Sequence, residues 1–127
     1  MNLFIDTKSG TPIYDQIYSQ IKNHIISGVL RENEMLPSIR GLAKDLRISF
    51  ITTKRAYEEL EREGFIENFT GKGCFVKMQN KDFLREEILR QTEEHLFQAC
   101  KTARMGGLTL EELKELLELM YGGENNA

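Results

Sequence analysis

The chain has 127 residues, of which 40% are hydrophobic, and a net charge of −3 at pH 7. This length allows one modest core, and the composition is that of a soluble globular protein and argues against a disordered chain. There is no apolar run of the roughly 18 residues that a membrane span needs, and the N-terminus lacks a signal-peptide pattern, so a cytoplasmic protein is expected.

The first predicted element is a short apolar run at residues 3–5, read either as a small strand or as a packed arm. A helix follows in the segment "TPIYDQIYSQIKNHIISG", with Thr11 suited to the N-cap and Pro12 to the first helical position. Gly28 suits the position just beyond its C-terminus. The residues expected on the buried face are Ile13, Ile17, Ile21 and Ile25.

Two further helices are predicted close together. Ser38 can cap the segment "IRGLAKDLRI", and Ser49 can cap the segment "FITTKRAYEELEREG". Only the residues "RIS" separate them, which is the spacing of a helix-turn-helix. At spacings of three and four, the face expected to pack on the first two helices contains Thr53, Ala56, Tyr57 and Leu60.

A change of periodicity after Gly64 predicts a β-hairpin. The segments "FIENF" and "CFVKM" alternate apolar and polar side chains on either side of the turn "TGKG", residues 70–73. Three helices followed by a hairpin is the order of a winged helix-turn-helix domain. The expected fold is therefore mostly α with a small β-wing, followed by two more helices.

The C-terminal part is predicted to form a two-helix dimerisation region. One helix is expected over residues 81–104, and Thr109 with Glu112 forms a capping box for a second. An excess apolar face on a short chain is most simply buried in a two-fold dimer. The residues expected at that interface are Leu84, Ile88, Leu96, Leu110, Leu113, Leu117 and Met120.

These elements give three predicted regions. Residues 1–78 form the winged helix-turn-helix domain, residues 79–121 form the dimerisation region, and residues 122–127 form a flexible tail. The first 80 residues carry 11 lysines and arginines against 10 acidic residues, whereas the remainder carries 6 against 10. A surface for a polyanion therefore belongs in the N-terminal part and has to be local.

The third helix has an asymmetric charge that predicts end-on docking to DNA. Its basic pair, Lys54 and Arg55, precedes a glutamate-rich second half, and recognition helices enter the major groove by their N-terminal residues. Phe50 and Ile51 lie on the same outward surface, where each could meet a thymine methyl or fold back onto the protein. Arg40, at the exposed start of the second helix, could contact a phosphate or a guanine edge.

The sequence of residues 36–76, "LPSIRGLAKDLRISFITTKRAYEELEREGFIENFTGKGCFV", resembles the DNA-binding domain of the GntR family of bacterial transcription regulators. The resemblance extends over about residues 11–77. The short C-terminal part looks like that of the YtrA subfamily. The resemblance implies a dimer formed through that part, a regulatory role and a frequent association with genes for ABC transporters.

The resemblance also implies roles for individual residues. Arg40 matches the arginine of the "LPSxR" motif, Ser49 matches the hydroxyl before the recognition helix, and Gly71 matches a wing-tip glycine that reaches the minor groove. Phe50 departs from the family, because many members have arginine there. The full predicted DNA-contacting set is Ser38, Arg40, Ser49, Phe50, Thr52, Lys54, Arg55, Thr70, Gly71 and Lys72.

Other classes of function receive less support from the sequence. It contains no recognisable nucleophile–base motif and no phosphate-binding loop, and the two cysteines and two histidines have no metal-ligand spacing. No enzyme activity, metal or cofactor is therefore expected. The expected partners are a near-palindromic double-stranded operator and a second copy of the chain, with a small-molecule effector left open. The rival hypothesis is a winged-helix module that binds a protein and no DNA.

Overall fold

The computed structural model describes residues 1–124, and the predicted order of elements is confirmed there. The elements are α1 (Ile13–Ile26), α2 (Ile39–Leu46), α3 (Phe50–Arg62), β1 (Ile66–Phe69), β2 (Gly73–Val76), α4 (Lys81–Met105) and α5 (Leu110–Glu124). They divide into two compact units, Met1–Leu84 and the residues from Arg85 onward. No helix in residues 1–124 is long and apolar enough to cross a membrane.

Two of the predicted helix caps are confirmed in the first unit, and one is wrong. The side chain of Ser38 accepts a hydrogen bond from the Gly41 amide, and that of Ser49 accepts one from the Thr52 amide. Thr11, in contrast, does not cap α1. The N-cap is Pro12, whose extended backbone ends with a carbonyl that accepts the first helical hydrogen bond, so the helix begins one residue later than predicted.

The core of the first unit lies between α1, α3 and the hairpin. The buried face of α1 is formed by Ile17, Ile21 and Ile25, as its periodicity predicts, while Ile13 is partly buried at the edge. Thr53, Ala56, Tyr57 and Leu60 form the buried face of α3, which is also confirmed. Leu30, Leu36, Leu42, Phe65, Ile66 and Val76 complete the cluster. The core thus fixes the position of α3 along its whole length.

The hairpin is antiparallel, with Ile66 opposite Val76 and Phe69 opposite Gly73. Its tip is a three-residue loop, 70–72, in which Gly71 adopts a positive φ of 79° that favours glycine. The amide of Lys72 donates to the Phe69 carbonyl across this loop. The tip is therefore a defined turn that projects beyond the paired strands.

The polar connection before α2 has a structural role that its sequence did not predict. Met35 forms an isolated antiparallel bridge with Phe75, and the Leu36 amide donates to the Cys74 carbonyl. The free edge of β2 is thereby covered by the chain that leads into α2. The hairpin and the start of α2 are consequently held together by backbone hydrogen bonds.

The apolar run at residues 3–5 forms a packed arm and not a strand. Leu3 and Ile5 pack against the core, while Phe4 points to solvent. The Gln20 side chain accepts from the Phe4 amide and donates to the Phe4 carbonyl, at 2.9 and 2.7 Å. Gln16 holds the backbone of Asp6 in the same way, because its side chain accepts from the Asp6 amide and donates to the Asp6 carbonyl. These two glutamines of α1 therefore attach the arm to the helix.

The second unit contains most of α4 and all of α5. The predicted capping box is present, because the Glu112 amide donates to Thr109 Oγ1 and the Thr109 amide donates to the Glu112 carboxylate. Helix α5 continues to Glu124, so it includes residues 122–124 of the segment predicted to be a flexible tail. Residues 125–127 of that predicted tail lie outside the described residues.

The start of α4 belongs to the first unit. The ring of Phe83 packs edge-on against Phe65, with centroids 5.5 Å apart. Leu84 lines a cavity with Ile25, Leu30 and Val76 of the same unit. The compact first unit therefore extends six residues beyond the predicted boundary at residue 78, and Leu84 is the one predicted interface residue that it includes.

Candidate nucleic-acid interface

The N-terminus of α3 is built around a pair of hydroxyls. Ser49 Oγ accepts from the Thr52 amide at 3.0 Å and donates to Thr52 Oγ1 at 2.8 Å. The cap fixes the first turn, and the remaining free amides give this end a partial positive charge. Ser49 and Thr52, both predicted DNA contacts, are thus brought together at the helix end that can attract a phosphate.

One hydrogen bond links α3 to the chain that leads into α2. The Tyr57 hydroxyl donates at 2.8 Å to the carbonyl of Pro37, the residue before the α2 N-cap. Burial of this hydroxyl, followed by the effect of the nearby Cys74, raises the pKa of Tyr57, so it stays protonated and remains a donor. This hydrogen bond therefore ties α3 to the chain at the start of α2.

The outward surface of α3 agrees with the sequence prediction. Ile51, Lys54 and Arg55 are exposed, and Thr52 is partly buried under the cap. Arg55 lies on the side of α1, where its Cζ atom is 3.6 Å from the centre of the Tyr14 ring. This contact joins residues about 40 positions apart in the chain and could not be predicted from the sequence.

The glutamates in the second half of α3 are mostly paired with other groups of the protein. Glu59 forms an ion pair with Arg62, and Glu63 accepts from the Tyr18 hydroxyl. Glu61 accepts a hydrogen bond from the Asn68 amide of the hairpin at 3.0 Å. These contacts hold three of the four carboxylates in the later turns, although Glu61 and the fourth, Glu58, line a groove together with Phe50 and Lys54. The charge asymmetry of the sequence is thus an asymmetry of the folded surface.

Phe50 faces the protein on one side. The Cζ atom of Arg40 lies 5.0 Å from the centre of the Phe50 ring, which remains 40% exposed. Both residues line a groove of about 470 Å³ between the start of α2, the outer face of α3 and the hairpin. Ser38 and Lys54 line the same groove, so four of the predicted contact residues are brought together around it.

The wing tip carries the remaining predicted contacts. Thr70, Gly71 and Lys72 are all exposed at the end of the hairpin. The exposed glycine leaves the backbone open to close approach, and the lysine adds a positive charge. Within residues 1–124, no group of histidine, cysteine or acidic side chains is arranged to hold a metal ion.

Comparison with known proteins agrees with this geometry. Residues 13–76 match the model of the family described as "Bacterial regulatory proteins, gntR family". The HTH-type transcriptional repressor YtrA of Bacillus subtilis is 37% identical over 126 residues, which cover 96% of this chain and 97% of that protein.

Two solved structures illustrate the similarity further. A transcriptional antiterminator from Listeria monocytogenes EGD-e aligns with a TM-score of 0.73 and 33% identity, over 95% of this chain and 90% of that one. The DNA-binding domain of AraR, solved in complex with operator ORX1, aligns with a TM-score of 0.52 and 26% identity, over 58% of this chain and 92% of that one. The chain belongs to the GntR family of bacterial transcription regulators, within its YtrA subfamily.

Proposed function

We propose that the chain represses transcription by binding, as a homodimer, a near-palindromic operator. One observation supports this proposal: Phe50 and Lys54 of α3, Ser38 and Arg40 at the start of α2, and Gly73 of the hairpin line one groove of the first unit. Winged helix-turn-helix proteins use the same parts to contact DNA, and a transcription regulator of this family needs such a surface.

In the proposed complex, the first turns of α3 enter the major groove. Lys54 and the free amides of the helix end would meet phosphates, while Thr52 and Arg40 would reach base edges or the backbone. The Ser38 hydroxyl only accepts in its cap, so its own proton can be donated to a phosphate oxygen. The Ser49 hydroxyl donates to Thr52 Oγ1, whose own proton would then meet the phosphate. Thr70, Gly71 and Lys72 at the wing tip would follow the neighbouring minor groove.

The proposed dimer forms through the second unit. The apolar side chains of α4 and α5 there surround an open groove of about 660 Å³, and many of them remain exposed in the single chain. A second copy related by a two-fold axis would cover this face with the same face. The proposed interface residues in this unit are Ile88, Leu96, Leu110, Leu113, Leu117 and Met120. Leu84 stays a predicted member of the interface.

The proposals for the sign of regulation and for the regulated genes rest on the resemblance to relatives. A repressor is proposed because the Bacillus subtilis relative is named a transcriptional repressor. An ABC transporter operon is proposed because the resemblance to the YtrA subfamily implies a frequent association with such genes. A protein with this function acts at the bacterial chromosome, in the cytoplasm.

Selection of bound sequences from a pool of random DNA duplexes tests the proposal. The full chain should enrich duplexes with two inverted half-sites, whose centres lie about one helical turn, or a multiple of it, apart. Sedimentation equilibrium at micromolar concentration should give twice the mass of one chain. If no sequence were enriched over an unrelated acidic protein, the rival hypothesis of a protein-binding winged helix would replace this one.

A further inference from the structure

We propose that Phe50 is a positioning residue that holds the guanidinium of Arg40 in the orientation in which it reads the operator. This inference rests on the proposed DNA-binding function and goes beyond it by assigning the roles of these two residues. Phe50 then acts on sequence recognition through Arg40, and its ring contributes no base contact of its own.

The two apolar residues at the start of α3 differ in their exposure to solvent. Ile51 is 77% exposed, whereas Phe50 is 40% exposed. The Arg40 guanidinium lies over the Phe50 ring, with its Cζ atom 5.0 Å from the ring centre. Phe50 is therefore occupied by a specific partner, while its neighbour is free to meet a ligand.

The hydrogen-bond donors of Arg40 stay available in this contact. Among the described residues, Arg40 has no hydrogen bond or ion pair to the protein. A cation–π contact attracts the charge of a guanidinium to the ring, while the N–H donors of the group lie in its own plane. A bidentate contact with guanine uses those in-plane donors. The ring can therefore hold the guanidinium without competing for the hydrogen bonds that recognition needs.

The backbone that carries Phe50 and Arg40 is held in place by the protein. Phe50 follows directly after the Ser49 cap, and the Tyr57–Pro37 hydrogen bond ties α3 to the chain that begins α2. The distance between the two partners is thus set by backbone that is held in place. A long arginine side chain loses rotamer freedom on binding, and a contact that restricts it beforehand lowers that loss.

A double-mutant cycle on the duplex enriched by the unmodified protein tests this inference. Arg40→Ala should weaken binding about 5- to 150-fold if it reads a base. Phe50→Leu, which keeps apolar volume but removes the aromatic face, should weaken binding about two- to fivefold. In the Arg40→Ala background, the same Phe50→Leu change should have no effect. Phe50→Tyr, which keeps the aromatic ring, should bind the duplex as tightly as the unmodified chain does.

The matched control is Ile51→Ala, the neighbouring first-turn residue, whose effect should be the same with and without Arg40. Urea unfolding of each variant separates a loss of stability from a loss of recognition. Repeating the selection adds a second readout, since Phe50→Leu should relax the same base pair that Arg40→Ala relaxes. An equal effect of Phe50→Leu in both backgrounds, or relaxation of a different base pair, would overturn the inference. If the unmodified chain enriches no duplex, the proposed function fails and the inference fails with it.

Discussion

Arg55 of α3 contacts Tyr14 of α1, with the Arg55 Cζ atom 3.6 Å from the centre of the Tyr14 ring. The contact holds a positive charge beside the N-terminal half of α3 without using its hydrogen-bond donors. Those donors thereby stay available for a phosphate of the proposed operator.

We expect Arg55→Ala to weaken binding to all duplexes alike. Loss of one phosphate contact should reduce the slope of log affinity against log salt by about 1. Tyr14→Leu should give a smaller loss of the same kind. Arg62→Ala is the control, because Arg62 is an exposed arginine of the same helix but is paired with Glu59. An unchanged salt slope for Arg55→Ala would show that this charge makes no phosphate contact.

The caps of the helix-turn-helix should contribute measurably to stability. Ser49→Ala removes the acceptor for the Thr52 amide and should cost about 1 kcal/mol of unfolding free energy, whereas Ser49→Gly should cost only a few tenths, by the known cap preferences. Urea unfolding followed by circular dichroism measures both. An unchanged unfolding free energy in Ser49→Ala would mean that the hydroxyl does not act as a cap in solution.

Association through the second unit should be sensitive to charge. Leu117 lines the apolar groove, and Leu117→Glu should shift the protein from dimer to monomer because a buried carboxylate is costly to desolvate. Leu119 is a matched control: it is 72% exposed and lies beside Glu115 and Glu118, outside that groove. Leu119→Glu should leave the mass unchanged in sedimentation equilibrium. A dimer that survives Leu117→Glu would argue against this interface.

Stability should fall at alkaline pH. Burial, followed by the nearby Glu61 carboxylate, raises the pKa of Cys74 to about 11 from its ordinary value of 9.0, and burial raises that of Tyr57 as well. The unfolded chain therefore releases these protons at a lower pH than the folded chain. The stabilisation is fully present below about pH 9 and is lost as the pH rises from there through about 11.

Urea unfolding between pH 8 and 10.5 measures this decline. Cys74→Ala should reduce it, since the variant has no thiol to release a proton in either state. Cys100→Ala is the control, because it leaves Cys74 and Tyr57 in place. An identical decline in Cys74→Ala and in the unmodified chain would contradict the assignment.

The features that the sequence predicted correctly depend on neighbours along the chain. The Ser38, Ser49 and Thr109 caps involve residues three positions apart, and the buried face of α3 repeats at three and four. Local hydrogen bonds and helical periodicity determine these features, so a single sequence displays them. The same holds for the hairpin, whose turn glycines mark it directly.

The features that could not be predicted depend on residues far apart in the chain. The bridge between Met35 and Phe75, and the contact between Tyr14 and Arg55, each join segments about 40 residues apart. Phe50 is intermediate: its outward position was readable, but its contact with Arg40 depends on how α2 packs against α3. The predicted tail began at residue 122, whereas helix α5 continues to Glu124.

The central claim is that the first turn of α3, with Arg40 beside it, gives this chain preference for one DNA sequence. A fluorescence anisotropy titration of the enriched duplex against a scrambled duplex of equal composition tests it most directly. We expect the enriched duplex to bind at least about 10³-fold more tightly at physiological salt, with affinity that falls as salt rises. Equal affinity for the two duplexes would contradict the claim.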